Sequence, residues 1–141
     1  MKGIKQILVA VDESERSGTV VEKAIEMAQK FEAKIVLLHV RPKVLDLLGH
    51  PYYQKVLDKY IELADNTVAP HQKTLEKTDI EFEVLILEGE PAEMIREAAQ
   101  VEKCDLIIMG TRGLTNVQGM ALGSVSHKVL HGVGCMVLLV P

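Results

Sequence analysis

Short apolar runs alternate with helical patterns along the whole chain, and this order constrains the fold more than any other feature. Five runs are predicted as strands, namely Ile4–Ala10, Lys34–Val40, Glu81–Leu87, Cys104–Met109 and Met136–Val140. They show little polar–apolar alternation, which is typical of strands in a parallel sheet covered on both faces. Strands and helices alternate along the sequence, and the last element is a strand. This order predicts a doubly wound α/β sheet of five mainly parallel strands with helices on both faces. The length of 141 residues fits one domain spanning residues 1–141.

The segments between the runs carry apolar stripes at helical spacing. Ser14 is expected to cap the first helix, and Pro51 to start the second, which Pro70 should kink or break. Pro91 is expected in the first turn of the third helix, and the fourth is predicted over Ser124–His131. Residues 41–50 are compatible with an irregular loop, a lid or a short helix. The predicted stripes are Val21, Ala24, Ile25, Ala28 and Phe31; then Tyr53, Val56, Leu57, Tyr60 and Ala64; then Met94, Ile95, Ala98 and Ala99.

Composition argues against several classes of protein. The net charge is -4 and no run of Lys or Arg stands out, so a nucleic-acid surface is not expected. No apolar run reaches the roughly 20 residues of a membrane helix, and the first strand starts too close to Met1 for a signal peptide. Cys104 and Cys135 lack C-x-x-C spacing and are interpreted as small buried hydrophobes. A cytoplasmic location is therefore expected.

A glycine-rich segment between the fourth strand and the fourth helix is the strongest functional signal. Gly110-Thr-Arg-Gly113 is followed, nine residues later, by Gly123-Ser124-Val125-Ser126. A strand, a glycine loop and a helix N-terminus together direct free N–H groups and the positive end of the helix dipole at one place. Glycine permits positive φ and lets an anion approach the backbone closely. The motif matches neither G-x-x-x-x-G-K-[ST] nor G-x-G-x-x-G.

Each residue of this segment also has a structural interpretation. The three glycines could serve only as turn residues, Ser124 could be a helix cap, and Arg112 could be a solvated charge. Asp12, at the end of the first strand, could contact ribose or a phosphate-bound metal, or could simply mark the entry to a helix. The joint spacing favours phosphate binding over these alternatives.

The G-x-x-G-x₉-G-[ST] spacing, together with Ile7–Asp12 and Val137–Val140, resembles the universal stress protein family in its ATP-binding branch. The resemblance implies strand order 3-2-1-4-5, with ligand in the crevice between strands 1 and 4. It implies that Ala10, Val11 and Val40 lie near the base and that Ser124 contacts phosphate. The nucleotide would be ATP, with Mg²⁺ or Mn²⁺ held by its phosphates. The full set of expected nucleotide-binding residues is Ala10, Val11, Asp12, Val40, Met109, Gly110, Arg112, Gly113, Gly123, Ser124, Val125 and Ser126. Met109 and Met120 are also interpreted as packing residues.

The expected function is a regulatory or protective ATP-binding protein with an unknown protein partner, and a homodimer formed through the last strand, Met136–Val140. Two rivals remain: a slow nucleotide hydrolase or other nucleotide-using enzyme, and a dimeric interaction module without nucleotide. The sequence offers no convincing nucleophile–base pair or metal-ligand spacing, so no catalytic residue is assigned. His39 is expected to be a satisfied, half-buried side chain, His50 and His71 to be exposed, and His131 to favour the negative end of its helix.

Overall fold

The computed structural model describes residues 3–47, 49–113 and 122–141. In these ranges nine elements alternate: β1 Gln6–Ala10, α1 Arg16–Phe31, β2 Lys34–Arg41, α2 Tyr52–Glu76, β3 Phe82–Glu88, α3 Pro91–Val101, β4 Leu106–Gly110, α4 Ser124–Leu130 and β5 Met136–Val140. The strands form one sheet in the order β3-β2-β1-β4-β5, and every neighbouring pair is parallel. The predicted fold class and strand order are confirmed.

Two apolar cores lie on opposite faces of the sheet. One contains Val20, Val21 and Ala24 of α1 with Val68 and Leu75 of α2. The other contains helical residues of α3 and α4, namely Ala92, Ile95, Ala98, Ala99 and Val129. Because both faces are covered, apolar residues follow one another along the central strands, and β1 buries Ile7, Leu8 and Val9 in succession.

The start of α1 differs from the prediction. The helix begins at Arg16, and Glu15 occupies the cap position without a side-chain hydrogen bond. Ser14 does not cap the helix, because its hydroxyl instead donates to Asp12 Oδ1 at 2.5 Å. The Asp12 carboxylate, two residues upstream, therefore accepts the hydrogen bond of the hydroxyl that was expected to cap the helix.

Helix α2 runs without interruption from Tyr52 to Glu76, so the predicted break at Pro70 is wrong. Pro70 lies on the exposed side of the helix, as does Asn66 one turn earlier. Proline removes the N–H that would bond to the Asn66 carbonyl, and water can replace that donor on an exposed face. The expected stripe is buried at Ala64 and continues through Val68 and Leu75.

The chain before α2 and the first turns of that helix are largely exposed. Residues 42–47 contain no helix, and among them Val44 is buried while Leu45 and Leu47 face solvent. Val56, expected on the apolar stripe of α2, is also exposed, as is Phe31 at the end of α1. These positions lie at the ends of their helices, where helical periodicity overestimates burial.

Cys104 is buried and Cys135 is partly buried, and both are free thiols. Burial raises the pKa of Cys104 to about 12 and also raises the pKa of Cys135. Raised pKa values keep thiols protonated and unreactive, which agrees with their interpretation as small hydrophobes. Within the described ranges, no helix has the length and apolarity needed to cross a membrane.

Candidate functional site

A crevice opens at the carboxyl ends of β1 and β4, where the strand order reverses. It encloses a cavity of ≈ 290 Å³. All twelve residues expected from the sequence line it: Ala10, Val11, Asp12, Val40, Met109, Gly110, Arg112, Gly113, Gly123, Ser124, Val125 and Ser126. The structure therefore brings together residues from three separate parts of the chain, while their contact with a nucleotide stays a prediction. Met120, expected to be a packing residue, lies outside the described residues.

Asp12 is held in place by two serines at the entry to α1. Its Oδ1 atom accepts the Ser14 N–H at 2.9 Å and the Ser14 hydroxyl at 2.5 Å. The buried Ser17 hydroxyl accepts the Asp12 N–H at 2.9 Å and lies 3.0 Å from both Oδ1 and the Asp12 carbonyl oxygen. These bonds occupy Oδ1 and turn Oδ2 toward Gly113. Asp12 is thus a helix-entry residue that also presents one carboxylate oxygen to the crevice.

Close contacts explain the glycines at positions 110, 113 and 123, whereas the positive φ predicted from the sequence does not. None of Gly110, Gly113 and Gly123 adopts a left-handed φ. A Cβ on Gly113 would stand 2.6 Å from Asp12 Oδ2, and a Cβ on Gly123 would stand 3.2 Å from the Arg112 Cα. Real Cβ atoms essentially never come as close as the first of these distances, so a side chain at Gly113 would displace the Asp12 carboxylate.

The two ends of the glycine loop are joined through the carbonyl oxygen of Thr111. It accepts the Gly123 N–H at 2.6 Å, and the Ser126 hydroxyl lies 2.7 Å from it. The same hydroxyl lies 3.1 Å from the Gly123 carbonyl oxygen, and Ser126 is buried. Ser126 therefore closes the loop, and its hydroxyl is engaged within the protein although the sequence predicted Ser126 as a nucleotide contact.

Ser124 differs from Ser126 in both position and exposure. The cap position of α4 is Gly123, so Ser124 is the first helical residue and not the cap that was its structural alternative. Ser124 is exposed and lines the crevice. Its hydroxyl is therefore accessible to a ligand in a way that the Ser126 hydroxyl is not.

Several residues of the crevice were missed in the sequence. Ser14 and Ser17 follow Asp12 at spacings of two and five, a pattern that could have been recognised as a carboxylate-centred turn. Arg16 reaches across the crevice, and its Nη1 donates to the Gly113 carbonyl oxygen at 3.5 Å. The apolar lining also includes Val20, Leu38 and Ile95, which carry no signal beyond ordinary core periodicity.

Two histidines are more buried than the sequence predicted. His39 is buried rather than half-buried, and its Nδ1 lies 2.9 Å from the Val11 carbonyl oxygen, so the expected hydrogen-bond partner exists. His71 on α2 was expected at the surface but is partly buried. Burial lowers the pKa of His71, and the negative charge of Asp12 partly opposes this shift.

The family model of the universal stress proteins matches residues 3–141. The chain belongs to the universal stress protein family. A universal stress protein of Thermus aquaticus is 39% identical over 137 residues, covering 96% of this chain and 98% of its own. The universal stress protein MJ0577 of Methanocaldococcus jannaschii is 30% identical over 156 residues, covering 96% of this chain and 94% of its own.

Solved structures of universal stress proteins share the fold. The structure of MJ0577 superimposes with a TM-score of 0.87 at 29% identity, covering 97% of this chain and 95% of that one. A universal stress protein crystallised in complex with cAMP has a TM-score of 0.69 at 25% identity, and 99% of each chain is covered. Family membership thus extends over the entire sheet and its helices.

Proposed function

We propose that this universal stress protein binds an adenine nucleotide, ATP, in the crevice between β1 and β4. The observation that carries the proposal is the convergence of all twelve expected residues on one cavity of ≈ 290 Å³. This volume is near the lower end, about 300 Å³, of known small-molecule sites. The structure of a similar protein in complex with cAMP supports adenine nucleotide as the ligand class. Nucleotide occupancy would set the state of the 110–126 loop and thereby an interaction with a protein partner.

The apolar part of the crevice suits an adenine ring. Ala10, Val11 and Val40 line it together with Leu38 and Met109. Buried apolar side chains can sandwich the faces of a purine and exclude water from them. The base would therefore occupy the β1–β2 side of the crevice, and the phosphates would extend toward the glycine loop beyond β4.

The polar part of the crevice suits ribose and phosphates. Asp12 directs Oδ2 into the crevice because Ser14 and Ser17 occupy Oδ1. The exposed Ser124 hydroxyl can donate to a phosphate oxygen. Arg16 is bonded to the Gly113 carbonyl only at 3.5 Å, so little is lost when its guanidinium turns to a phosphate instead.

A divalent cation fits this arrangement as a companion of the phosphates. Asp12 Oδ2 is a hard oxygen donor of the kind that Mg²⁺ and Mn²⁺ prefer. Among the described residues, no group of three or more His, Cys, Asp or Glu side chains could hold a metal. Phosphate oxygens and water would therefore supply most ligands, with Asp12 as the contribution of the protein.

Mass spectrometry of ligand released from the purified protein tests the proposal directly. An adenine nucleotide in molar proportion to the chain is the expected result. Calorimetry with ATP, ADP, AMP and cAMP then ranks the nucleotides. Absence of released nucleotide and of measurable binding to all four would favour the interaction module without nucleotide.

Glycine variants connect binding to the crevice. Gly123→Val is expected to abolish ATP binding, since its side chain would press on Arg112 and Thr111. Gly134→Val is the matched control, because a Cβ there would meet nothing within 4 Å. Circular dichroism and melting temperature must show that both variants fold. Unchanged ATP affinity in folded Gly123→Val protein would contradict the proposed site.

A further inference from the structure

We propose that His127 and His131 form a two-ligand site for a divalent transition metal such as Ni²⁺ or Zn²⁺, on the outer surface of α4. The two residues are four positions apart at the end of that helix, and both are exposed. Side chains at this spacing lie one above the other on the same helix face. The site is separate from the ion proposed to accompany the nucleotide phosphates.

The two imidazoles already converge on one point. Their Nε2 atoms lie 3.1 Å apart, and their ring centroids lie 4.5 Å apart at an interplanar angle of 74°. Zinc binds histidine nitrogen at about 2.0–2.1 Å. An ion at that distance from both Nε2 atoms would make an N–metal–N angle of about 100°. This angle lies between the octahedral and tetrahedral values, so the separation of the two nitrogens suits two ligands of one ion.

Metal binding requires a change of tautomer in one of the two rings. In the free protein one ring donates its Nε2–H to the Nε2 lone pair of the other. When an ion binds, both Nε2 lone pairs point to it, and the donating ring carries its proton on Nδ1 instead. Each neutral imidazole keeps one N–H throughout, and no oxidation or reduction is involved.

The cations beside the pair are engaged on the side of α4 that faces α3. The Lys128 ammonium lies 3.8 Å from Glu90 Oε1, at the start of α3. Arg96 of α3 donates its Nη1–H to the Lys128 carbonyl oxygen at 2.6 Å. The Lys128 ammonium is thereby directed toward α3, and the Arg96 guanidinium is bonded between the two helices. The exposed histidine pair is left accessible.

The chemistry of the pair sets the kind of ion and its strength of binding. Imidazole suits Zn²⁺, Ni²⁺ and Cu²⁺ and is a poor ligand for Mg²⁺. No third His, Cys, Asp or Glu joins the pair among the described residues, so water completes the coordination. The affinity should therefore be weaker than that of a four-ligand structural zinc site.

Calorimetric titration of the full chain with Ni²⁺, repeated with Zn²⁺, tests the site. One ion per chain is expected, together with a rise in melting temperature on addition of metal. His127→Ala and His131→Ala should each weaken binding by roughly tenfold or more, because one imidazole alone loses the chelate. His50→Ala is the matched control, since His50 is exposed and lies outside the pair.

Each outcome decides the proposal. Loss of binding in both pair variants, with binding retained in His50→Ala, supports it. Binding unchanged in His127→Ala or His131→Ala, or absent from the unaltered protein, overturns it. Cys135→Ser tests the more exposed of the two thiols as an alternative ligand, and abolition of binding by that variant would also overturn the histidine site.

Discussion

The Asp12 carboxylate and Gly113 lie so close that a Cβ on Gly113 would stand 2.6 Å from Asp12 Oδ2. The end of β1 and the loop after β4 therefore meet at one contact between a carboxylate and a backbone that lacks a side chain. Any larger residue at position 113 must displace the carboxylate that Ser14 and Ser17 hold.

A double-mutant cycle tests this relationship. Gly113→Ala is expected to lower ATP affinity by about tenfold, or ~1.4 kcal/mol, because it moves Asp12. In an Asp12→Ala background the same substitution should have a much smaller effect, since the clashing atom is gone. Calorimetry on the four proteins gives the coupling energy. Equal effects in both backgrounds would show that Gly113 acts independently of Asp12.

Substitution of Ser124 should change ATP affinity, whereas substitution of Ser126 should change the stability of the fold. Ser126→Ala removes a buried hydroxyl from the Thr111 carbonyl and should lower the free energy of unfolding by about 1 kcal/mol. Ser124→Ala alters an exposed residue and should weaken ATP binding without a change in stability. Urea unfolding and calorimetry on both variants provide the comparison. A destabilised Ser124→Ala protein with normal ATP affinity would reverse the assignment.

Hydrolysis of ATP should be slow or absent. Typical enzymes turn over at about 10 s⁻¹, and we expect a rate several decades lower. The glycine motif has no P-loop lysine, and the proposed role of Asp12 Oδ2 is to hold ribose or the metal ion, not to activate a water molecule. A steady-state assay with ATP and Mg²⁺ measures the rate. Turnover near the ordinary range that survives purification and disappears in Gly123→Val protein would favour the hydrolase.

Strand β5 should form a homodimer interface. It is an edge strand, with Met136 57% exposed and Val137, Leu138 and Leu139 only partly buried. Two such edges paired about a two-fold axis would satisfy each other's free backbone groups. Light scattering should give a dimer for the unaltered chain and a monomer for Val137→Lys/Leu139→Lys.

Met136→Lys is a milder variant that should still fold, because Met136 is already exposed. It therefore tests the interface even if the double variant fails to fold. It should weaken the dimer while preserving circular dichroism. A monomeric unaltered chain at micromolar concentration, or a dimeric double variant, would place the interface elsewhere.

Glu102 should make stability depend on pH. Its pKa is raised, chiefly by a hydrogen bond to Glu83. With both groups ionised, the buried Oε1 of Glu83 has no donor, and a proton on Glu102 supplies one. A raised pKa in the folded state means that this contribution is complete below the ordinary Glu range, about pH 4.3, and is lost as pH rises through the raised value.

Glu102→Gln supplies an amide donor at every pH. It should therefore raise the melting temperature at pH 7, and the difference should shrink toward zero below about pH 4. The exposed Glu97 on α3 offers a control through Glu97→Gln, which should show no such pH-dependent gain. A Glu102→Gln protein that is less stable than the parent at pH 7 would contradict a hydrogen bond in which Glu102 donates its proton to Glu83.

The order of strands and the position of the crevice could be predicted because they depend on patterns that extend over many residues. Apolar runs of four or more residues identified each strand, and the glycine spacing selected the loop that faces Asp12. The contacts within the crevice could not be predicted in the same way. The reason for glycine at position 113 lies in a carboxylate about a hundred positions away, and sequence spacing does not reveal that proximity.

Local propensity also failed where tertiary or solvent contacts override it. Ser14 has a suitable residue type for a helix cap, but the nearby Asp12 carboxylate engages it. Pro70 has a strong tendency to break helices, but its position on the exposed side of α2 leaves the helix continuous. The Ser14 hydroxyl is therefore decided by a neighbouring side chain, and the effect of Pro70 is decided by exposure of the helix to water.

One carbonyl oxygen, that of Thr111, receives both the Gly123 N–H and the Ser126 hydroxyl, so the two stems of the glycine loop are already joined at their base. Lengthening a loop whose ends are held adds little entropy cost, about 0.6 kcal/mol for each doubling. The sequence between Gly113 and Gly123 could therefore be lengthened in evolution, or carry an inserted recognition tag, while Arg112 and Gly113 keep their places in the wall of the crevice. Partner recognition and ligand recognition could diversify separately within a single short stretch of chain.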